Sequence, residues 1–170
     1  VAKLVLVSAA SDLPAACGAR VEYLARHYPA ELARKRADTT GRGGRAADPC
    51  DLAFNTLSGE THQRVNDAVM FPDPRLDALN DSVDAASGLR NTGELGGTLF
   101  GSGLTSYRFT GHERVRAPAL VIAGGQDFAI GLEPQRALAR ALPRARLVEY
   151  PDAGHFLYLD EPERFVRDVG

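Results

Sequence analysis

The sequence contains no tryptophan, one methionine and only two cysteines, and it has no long apolar run. Crossing a bilayer takes about 18 consecutive apolar residues, so we expect no membrane partner. Positive charge is not in excess either, because the formal net charge is -2 at pH 7. Binding to nucleic acid depends on a basic surface that releases counterions from the phosphates. A nucleic-acid partner is therefore not expected.

The two cysteines, Cys17 and Cys50, are too few for a disulfide framework. No pair of cysteines or histidines has the spacing of zinc ligands. We therefore expect both cysteines to be small buried side chains, and we expect neither a metal nor a cofactor. The start of the sequence lacks the layout of a signal peptide, so a cytoplasmic location is the expectation.

What the sequence does contain is three short apolar segments typical of strands buried on both faces of a sheet. They are residues 4–7, 118–123 and 145–150. Residues 132–142 predict a helix between the second and third strands, with Pro134 in its first turn. A last helix is predicted after Asp160, which would form a capping box with Glu163. This alternation predicts an α/β fold with a parallel sheet.

A long segment of helical periodicity separates the first two predicted strands. Pro29 ends its first helix, since proline cannot continue one, and begins the second. Further helices are predicted around 52–57, 63–71 and 76–86, and glycine-rich stretches at 41–45 and 93–103 interrupt them. The predicted organisation is a core strand in residues 1–11, a helical cap in residues 12–110, and core strands and helices in residues 111–170.

Two ionisable residues follow predicted strands directly, Asp127 after the second and His155 after the third. In an open parallel sheet, chemistry collects at the carboxyl ends of the strands, and neighbouring strands run about 4.8 Å apart. We therefore expect Asp127 to orient His155 as a general base, with Gly154 making room for the ring. The other three histidines, which lack such a setting, are interpreted as structural (His27, His62 and His112).

Residues 117–165, with the sequences GGQD at Asp127 and PDAGHF at His155, closely resemble the C-terminal end of α/β-hydrolase-fold enzymes. Residues 1–10 are similar to the strand that follows the nucleophile helix in that family. The resemblance implies that Asp127 is the acid and His155 the base of a catalytic triad. It also implies that the cap is inserted between the sixth and seventh strands, and that the N-terminal half of the fold is missing from this chain.

The nucleophile of such a triad is not found in the sequence. The family places it on a G-x-S-x-G elbow, and neither the cysteines nor Ser8, Ser58 and Ser102 have the flanking glycines. The donors of the oxyanion hole are expected to be absent for the same reason. We therefore expect an N-terminal portion of the same fold as a partner, either a separate chain or preceding residues, and expect this chain alone to be inactive.

The resemblance restricts the type of reaction more than it restricts the identity of the substrate. The cap position resembles proline iminopeptidases, esterases and carbon-carbon hydrolases, which implies cleavage of an ester or amide in a small molecule or short peptide. Glu60 or Glu94 are candidates to bind a substrate amine, although glutamate is usually exposed. Two alternatives stay open: an Asp-nucleophile dehalogenase or epoxide hydrolase, and a protein that binds a small ligand without catalysis.

Overall fold

The computed structural model describes residues 2–41, 47–88, 97–99 and 101–170. Its strands are β1 (Leu4–Val7), β2 (Ala119–Gly124) and β3 (Ala145–Tyr150). Before β2 the described helices are α1 (Leu13–His27), α2 (Pro29–Gly41), α3 (Pro49–Asn55), α4 (Gly59–Met70) and α5 (Pro74–Ser87). After it come α6 (Leu132–Ala141), α7 (Leu157–Asp160) and α8 (Pro162–Val169).

The three strands form one parallel sheet in the order β1-β2-β3. The middle strand is completely buried at Val121, Ile122 and Ala123. Because successive side chains point to opposite faces of a strand, Val121 packs with Leu138 and Leu142 at α6, whereas Ile122 packs on the other side. The predicted parallel α/β sheet with helical layers is confirmed.

The second face of the sheet is covered by the C-terminal helices. Ile122 and Tyr150 share a core with Leu157 of α7, and Phe165 of α8 packs against them. The Tyr150 hydroxyl donates to Asp168 Oδ2 at 2.8 Å. Burial, together with that carboxylate, raises the pKa of Tyr150 to about 12. The short last helix is therefore fixed to the sheet beside the strand that leads to His155.

The helices between β1 and β2 have a core of their own, made by Leu24, Leu32, Leu52, Val65 and Val69. The two ends of this segment meet next to β1. Leu13 N–H donates to Tyr107 O, and Phe109 N–H donates to Ser11 O. The insertion therefore leaves the sheet and returns to it beside an antiparallel bridge between Asp12 and Arg108. Its division from the core into separate domains stays a prediction.

The expectation for the cysteines was wrong in one respect. Cys17 and Cys50 are buried as expected, but they form a disulfide with a Cα–Cα distance of 4.9 Å. The bond joins α1 to the first turn of α3, two helices that pack against each other. Two cysteines 33 residues apart carry no pairing signal until the helices that bear them are known to be neighbours.

The predicted capping box at the last helix is also wrong. Helix α8 begins at Pro162 and its N-cap residue is Glu161, without a side-chain hydrogen bond to the helix. Asp160 instead ends α7, and its Oδ2 accepts from Gly154 N–H at 2.8 Å. The backbone N–H of Gly154, six residues earlier in the chain, binds this carboxylate in place of the local cap.

The remaining predictions concern the helix boundaries, the glycine-rich stretches and the absence of a membrane-spanning segment. The helix break at Pro29 is confirmed, and α3, α4 and α5 begin two to four residues earlier than predicted. Glu94, residues 42–45 of the first glycine-rich stretch and residues 93–96 and 100 of the second lie outside the described residues. Within the described part of the chain, no helix combines the length and the apolar character needed to cross a membrane.

Candidate active site

The loop that follows β2 carries Asp127 and lies against the loop that follows β3. A Cβ on Gly124 would overlap the backbone oxygens of Ala153 and Gly154, so the two loops approach as closely as they do because this position has no side chain. Gln126 N–H donates to Ala153 O at 2.9 Å and ties the loops together. The GGQD sequence thus brings both strand ends to one place.

Asp127 is 3% exposed, and both of its carboxylate oxygens are engaged. Oδ1 accepts from the backbone N–H groups of Ala129 and Ile130, at 2.9 and 3.0 Å. Oδ2 lies 3.1 Å from His155 Nδ1. Backbone donors are rigid, and hydrogen bonds to a charged acceptor are strong, so the carboxylate is held in one orientation toward the imidazole.

His155 is held by its own backbone as well as by Asp127. Its N–H donates to Met70 O at 2.9 Å, and its carbonyl accepts from Ser8 Oγ at 2.8 Å. The ring contacts the edge of Phe156 at a centroid distance of 4.9 Å, and Phe156 stacks on Phe71. The His155 side chain is 23% exposed, so the ring is fixed on one side and open on the other.

The predicted acid and base are therefore together, and their geometry has a chemical meaning. With Nδ1 donating to Asp127 Oδ2, the lone pair of a neutral ring is on Nε2. A buried carboxylate behind Nδ1 stabilises the imidazolium that forms when Nε2 accepts a proton. This arrangement is that of a general base that is oriented by an acid. The catalytic role of the two residues stays a prediction.

The C-terminal end of α4 positions both loops, and sequence reasoning missed it. The last carbonyls of a helix have no partner within the helix. Val69 O accepts from Phe128 N–H at 3.0 Å, and Met70 O accepts from His155 N–H. One helix end therefore binds the residue after Asp127 and the histidine itself. No local motif marks Val69 or Met70 for this role, which becomes visible only when α4 is placed over the sheet.

Gly154 has a different purpose from the one predicted. A Cβ at this position would overlap Met70 O and the ring of Pro72, not the imidazole of His155. The glycine thus permits the close approach of α4 and the segment after it. On its other side, Gly154 N–H is bound by Asp160, and burial raises the pKa of that carboxyl above its ordinary value.

A cavity of about 1300 Å³ opens between the helical insertion and the sheet, and His155 is part of its wall. Helices α1, α3 and α4 supply most of the remaining wall, including Arg20, Phe54 and Asn66. His62, interpreted as structural from the sequence, also lines it. In the described part of the chain, no three His, Cys, Asp or Glu side chains converge where a metal could bind.

The serines considered from the sequence are occupied in other ways. Ser8 Oγ donates to the His155 carbonyl, and Ser102 Oγ donates to Thr98 O. Ser58 is the N-cap residue of α4. Glu60, on the first turn of that helix, is exposed and is not among the cavity-lining residues. His27 and His112 contact Tyr23 and Phe109, respectively, away from His155.

The sequence profile described as "Alpha/beta hydrolase family" matches residues 1–168. The chain belongs to the alpha/beta hydrolase family. This membership agrees with the parallel sheet and with the resemblance at both ends of the sequence. It indicates that the chain is of the hydrolase type. No curated protein matches the sequence of this alpha/beta hydrolase.

Among solved structures, one with a TM-score above 0.5 shares the fold of this chain. A proline iminopeptidase-related protein from Thermus thermophilus matches with a TM-score of 0.67 and 21% identity, over 99% of this chain and 54% of that chain. A protein described as an N-acyl homoserine lactone degrading enzyme matches with a TM-score of 0.45 and 21% identity, over 99% and 57%. This alpha/beta hydrolase chain thus spans about half the length of both.

Proposed function

We propose that this chain is the C-terminal part of a hydrolase that cleaves an ester or amide, in which Asp127 is the acid and His155 the base of a Ser-Asp-His triad. The observation that carries the proposal is the 3.1 Å contact between Asp127 Oδ2 and His155 Nδ1 at the ends of adjacent parallel strands. The complete engagement of Asp127 Oδ1 by backbone donors supports it, since the carboxylate is free to act only toward the histidine.

In the proposed reaction, His155 Nε2 takes the proton of a serine hydroxyl while the serine oxygen attacks the substrate carbonyl. The same proton then passes to the leaving alcohol or amine, and the acyl group stays on the serine. Water, deprotonated by His155 in turn, releases the acid and restores the serine. Asp127 remains ionised throughout and stabilises the imidazolium of each step.

The nucleophile belongs to polypeptide outside this chain in the proposal. Two facts support this: none of Ser8, Ser58 and Ser102 has an elbow sequence, and the chain spans about half of the proline iminopeptidase-related protein. The partner supplies the nucleophile and the oxyanion-hole donors, either as a separate chain or as residues of the same chain. Mass spectrometry of the purified active protein tests this, because a single species of 18.2 kDa that is active alone would contradict it.

The proposed substrate is a small molecule or short peptide. In its most specific form, the proposal is that the protein acts as a proline iminopeptidase-like enzyme. The cavity that His155 borders, of about 1300 Å³, is large enough for such a molecule. Comparing turnover of prolyl-p-nitroanilide with that of p-nitrophenyl acetate tests the branch. Turnover of the p-nitrophenyl ester without turnover of the prolyl anilide would assign the protein to the esterases.

A fluorophosphonate probe tests the triad directly. It labels only a serine whose hydroxyl is activated by a base, so the assembled protein should react, and His155→Ala should not. Absence of labelling in the wild type would favour an aspartate nucleophile or a protein that only binds its ligand. Hydrolysis of a haloalkane or an epoxide separates those two outcomes.

The proposed location is the cytoplasm, and the disulfide makes it testable. Disulfides persist mainly in oxidising compartments, so the redox state of Cys17 and Cys50 in the cell distinguishes the cytoplasm from such a compartment. Thiol alkylation in intact cells, followed by mass spectrometry, would show both cysteines free if the protein works in a reducing cytoplasm. A protein recovered fully oxidised would overturn the proposed location and leave the triad proposal unaffected.

A further inference from the structure

Arg20 is an unusual side chain in the cavity that His155 borders. It lies on α1, lines the cavity, and is only 6% exposed. Nε donates to Ala53 O at 2.9 Å, Nη2 donates to Asn66 Oδ1, and the guanidinium lies 5.0 Å from the centre of the Phe54 ring. These contacts with α3 and α4 fix the group in one orientation.

The guanidinium has no negative partner among the described residues. Its hydrogen bonds go to a carbonyl and an amide, both neutral, and the two donors on Nη1 make none. The only fully buried side-chain donor without a partner in the described part of the chain is Gln135 Nε2, so Nη1 keeps some exposure, and Arg20 is part of the cavity wall. Burial lowers the pKa of Arg20, yet an arginine stays charged at neutral pH. A buried charge without a counter-charge is costly and therefore uncommon.

Carboxylates also line the cavity, but each is engaged elsewhere. Asp48 accepts from Cys50 N–H at 2.7 Å as the N-cap of α3. Asp51 pairs with Lys35 at 3.0 Å, and Asp67 accepts from Gln63 Nε2 at 3.4 Å. None of them neutralises Arg20, so the charge of this guanidinium is available to a ligand.

Helix α4 relates Arg20 to the candidate base. Asn66, which accepts from Arg20, and Met70, which accepts from the backbone of His155, are four residues apart on one face of the helix. Four residues of an α-helix rise about 6 Å. The contacts of Asn66 with Arg20 and of Met70 with His155 therefore lie about one helical turn apart along α4, and both Arg20 and His155 line the same cavity.

We propose that Arg20 binds a carboxylate of the substrate, so that the protein acts on a small ester or amide that bears a carboxylate group. A guanidinium fixed by two neighbours, with free donors on one nitrogen, suits an anionic oxygen better than a neutral one. The part of the inference that concerns hydrolysis rests on the proposed function, and the part that concerns binding does not.

The test compares two ligands of matched size, sodium hexanoate and neutral hexanamide, bound to the purified protein and followed by NMR of the arginine Nε–H signals. In the wild type, hexanoate should bind about tenfold or more tightly than hexanamide, with the Arg20 signal shifting most. Arg20→Gln should remove the preference. Arg26→Gln, on the same helix but exposed and outside this cavity, should keep it.

Because Arg20→Gln removes a buried group and risks unfolding, Asn66→Asp provides the second variant. It has nearly the same shape and supplies the missing counter-charge, so the fold should persist while the preference for hexanoate disappears. A preference that survives in Asn66→Asp, or is absent from the wild type, would overturn the proposal. Asp127→Asn should retain it, so loss of hydrolysis and loss of anion binding are separate results.

Discussion

Asp127 acts through two oxygens that face different partners, and Asp127→Asn separates their roles. The asparagine oxygen can still accept from Ala129 and Ile130, so the loop should keep its conformation. The charge that stabilises the imidazolium is lost, and we expect kcat/KM to fall by about 10⁴-fold. Asp152→Asn, on the exposed part of the histidine loop, is the matched control and should stay within about twofold of the wild type. Equal turnover in both variants would remove Asp127 from the mechanism.

Gly154 is the position at which one added methyl group should displace the base. Its Cβ would overlap Met70 O and Pro72, so Gly154→Ala should push the histidine loop away from α4 and lower the thermal midpoint. Gly18→Ala, in the middle of α1 with nothing within 4 Å of the added Cβ, should stabilise the protein by about 0.5–1 kcal/mol. Thermal unfolding of both variants checks this, and an unchanged midpoint for Gly154→Ala would mean that the loop is not tightly held.

Asp127 and His155 could be predicted from the sequence because each directly follows an apolar strand, and strand ends converge in a parallel sheet. Their supports could not. The carbonyls of Val69 and Met70 belong to the backbone and leave no trace in residue identity. The sequence predicts a local cap for Asp160 because a pattern of residues indicates near partners better than distant ones, such as Gly154.

Helices α1 and α3 are joined covalently, and this bond supports the wall of the cavity. Cys17 lies three residues before Arg20, and Cys50 lies three residues before Ala53, the carbonyl partner of that guanidinium. Helical residues three apart are neighbours, so the disulfide fixes the pair of turns that hold Arg20. The strands and most helices were predictable from periodicity and proline, whereas this cross-link depends on the packing of two helices.

Removing the cross-link should be costly for the fold. Replacing both cysteines in a Cys17→Ala, Cys50→Ala variant frees a loop of 33 residues in the unfolded chain. We expect the free energy of unfolding to fall by roughly 2–4 kcal/mol. Urea denaturation measures it, and wild-type protein under reducing conditions should lose a similar amount. Identical stability of the oxidised wild type and the variant would contradict a structural role for the disulfide.

In the part of the chain that the structure describes, no strand pairs with the outer side of β1. Leu4 and Ser8 N–H groups donate to the β2 side, so the alternating amides of Val5 and Val7 point away from it. The side chain of Val5 is 38% exposed, and Leu4, Leu6, Tyr107 and Phe109 border an apolar groove beside it. Such an edge readily pairs with another strand, which fits the proposed N-terminal portion of the fold.

Hydrogen exchange tests this use of the edge. In the protein without its proposed partner, the amides of Val5 and Val7 should exchange much faster than those of Leu4 and Leu6. Adding the portion that carries the nucleophile should protect Val5 and Val7 by a large factor and leave β3 unchanged. If protection of Val5 and Val7 does not respond to that portion, the partner pairs elsewhere or not at all.

The proposed role of His155 as a general base depends on which of its ring nitrogens carries the proton. Nitrogen-15 NMR of the histidine ring, recorded where the ring is neutral, measures this directly and needs neither substrate nor nucleophile. The account predicts a proton on Nδ1, donated to Asp127 Oδ2, and a free lone pair on Nε2, with the tautomer preference weakened in Asp127→Asn. A ring protonated on Nε2 in the wild type, or a spectrum unchanged by Asp127→Asn, would contradict it.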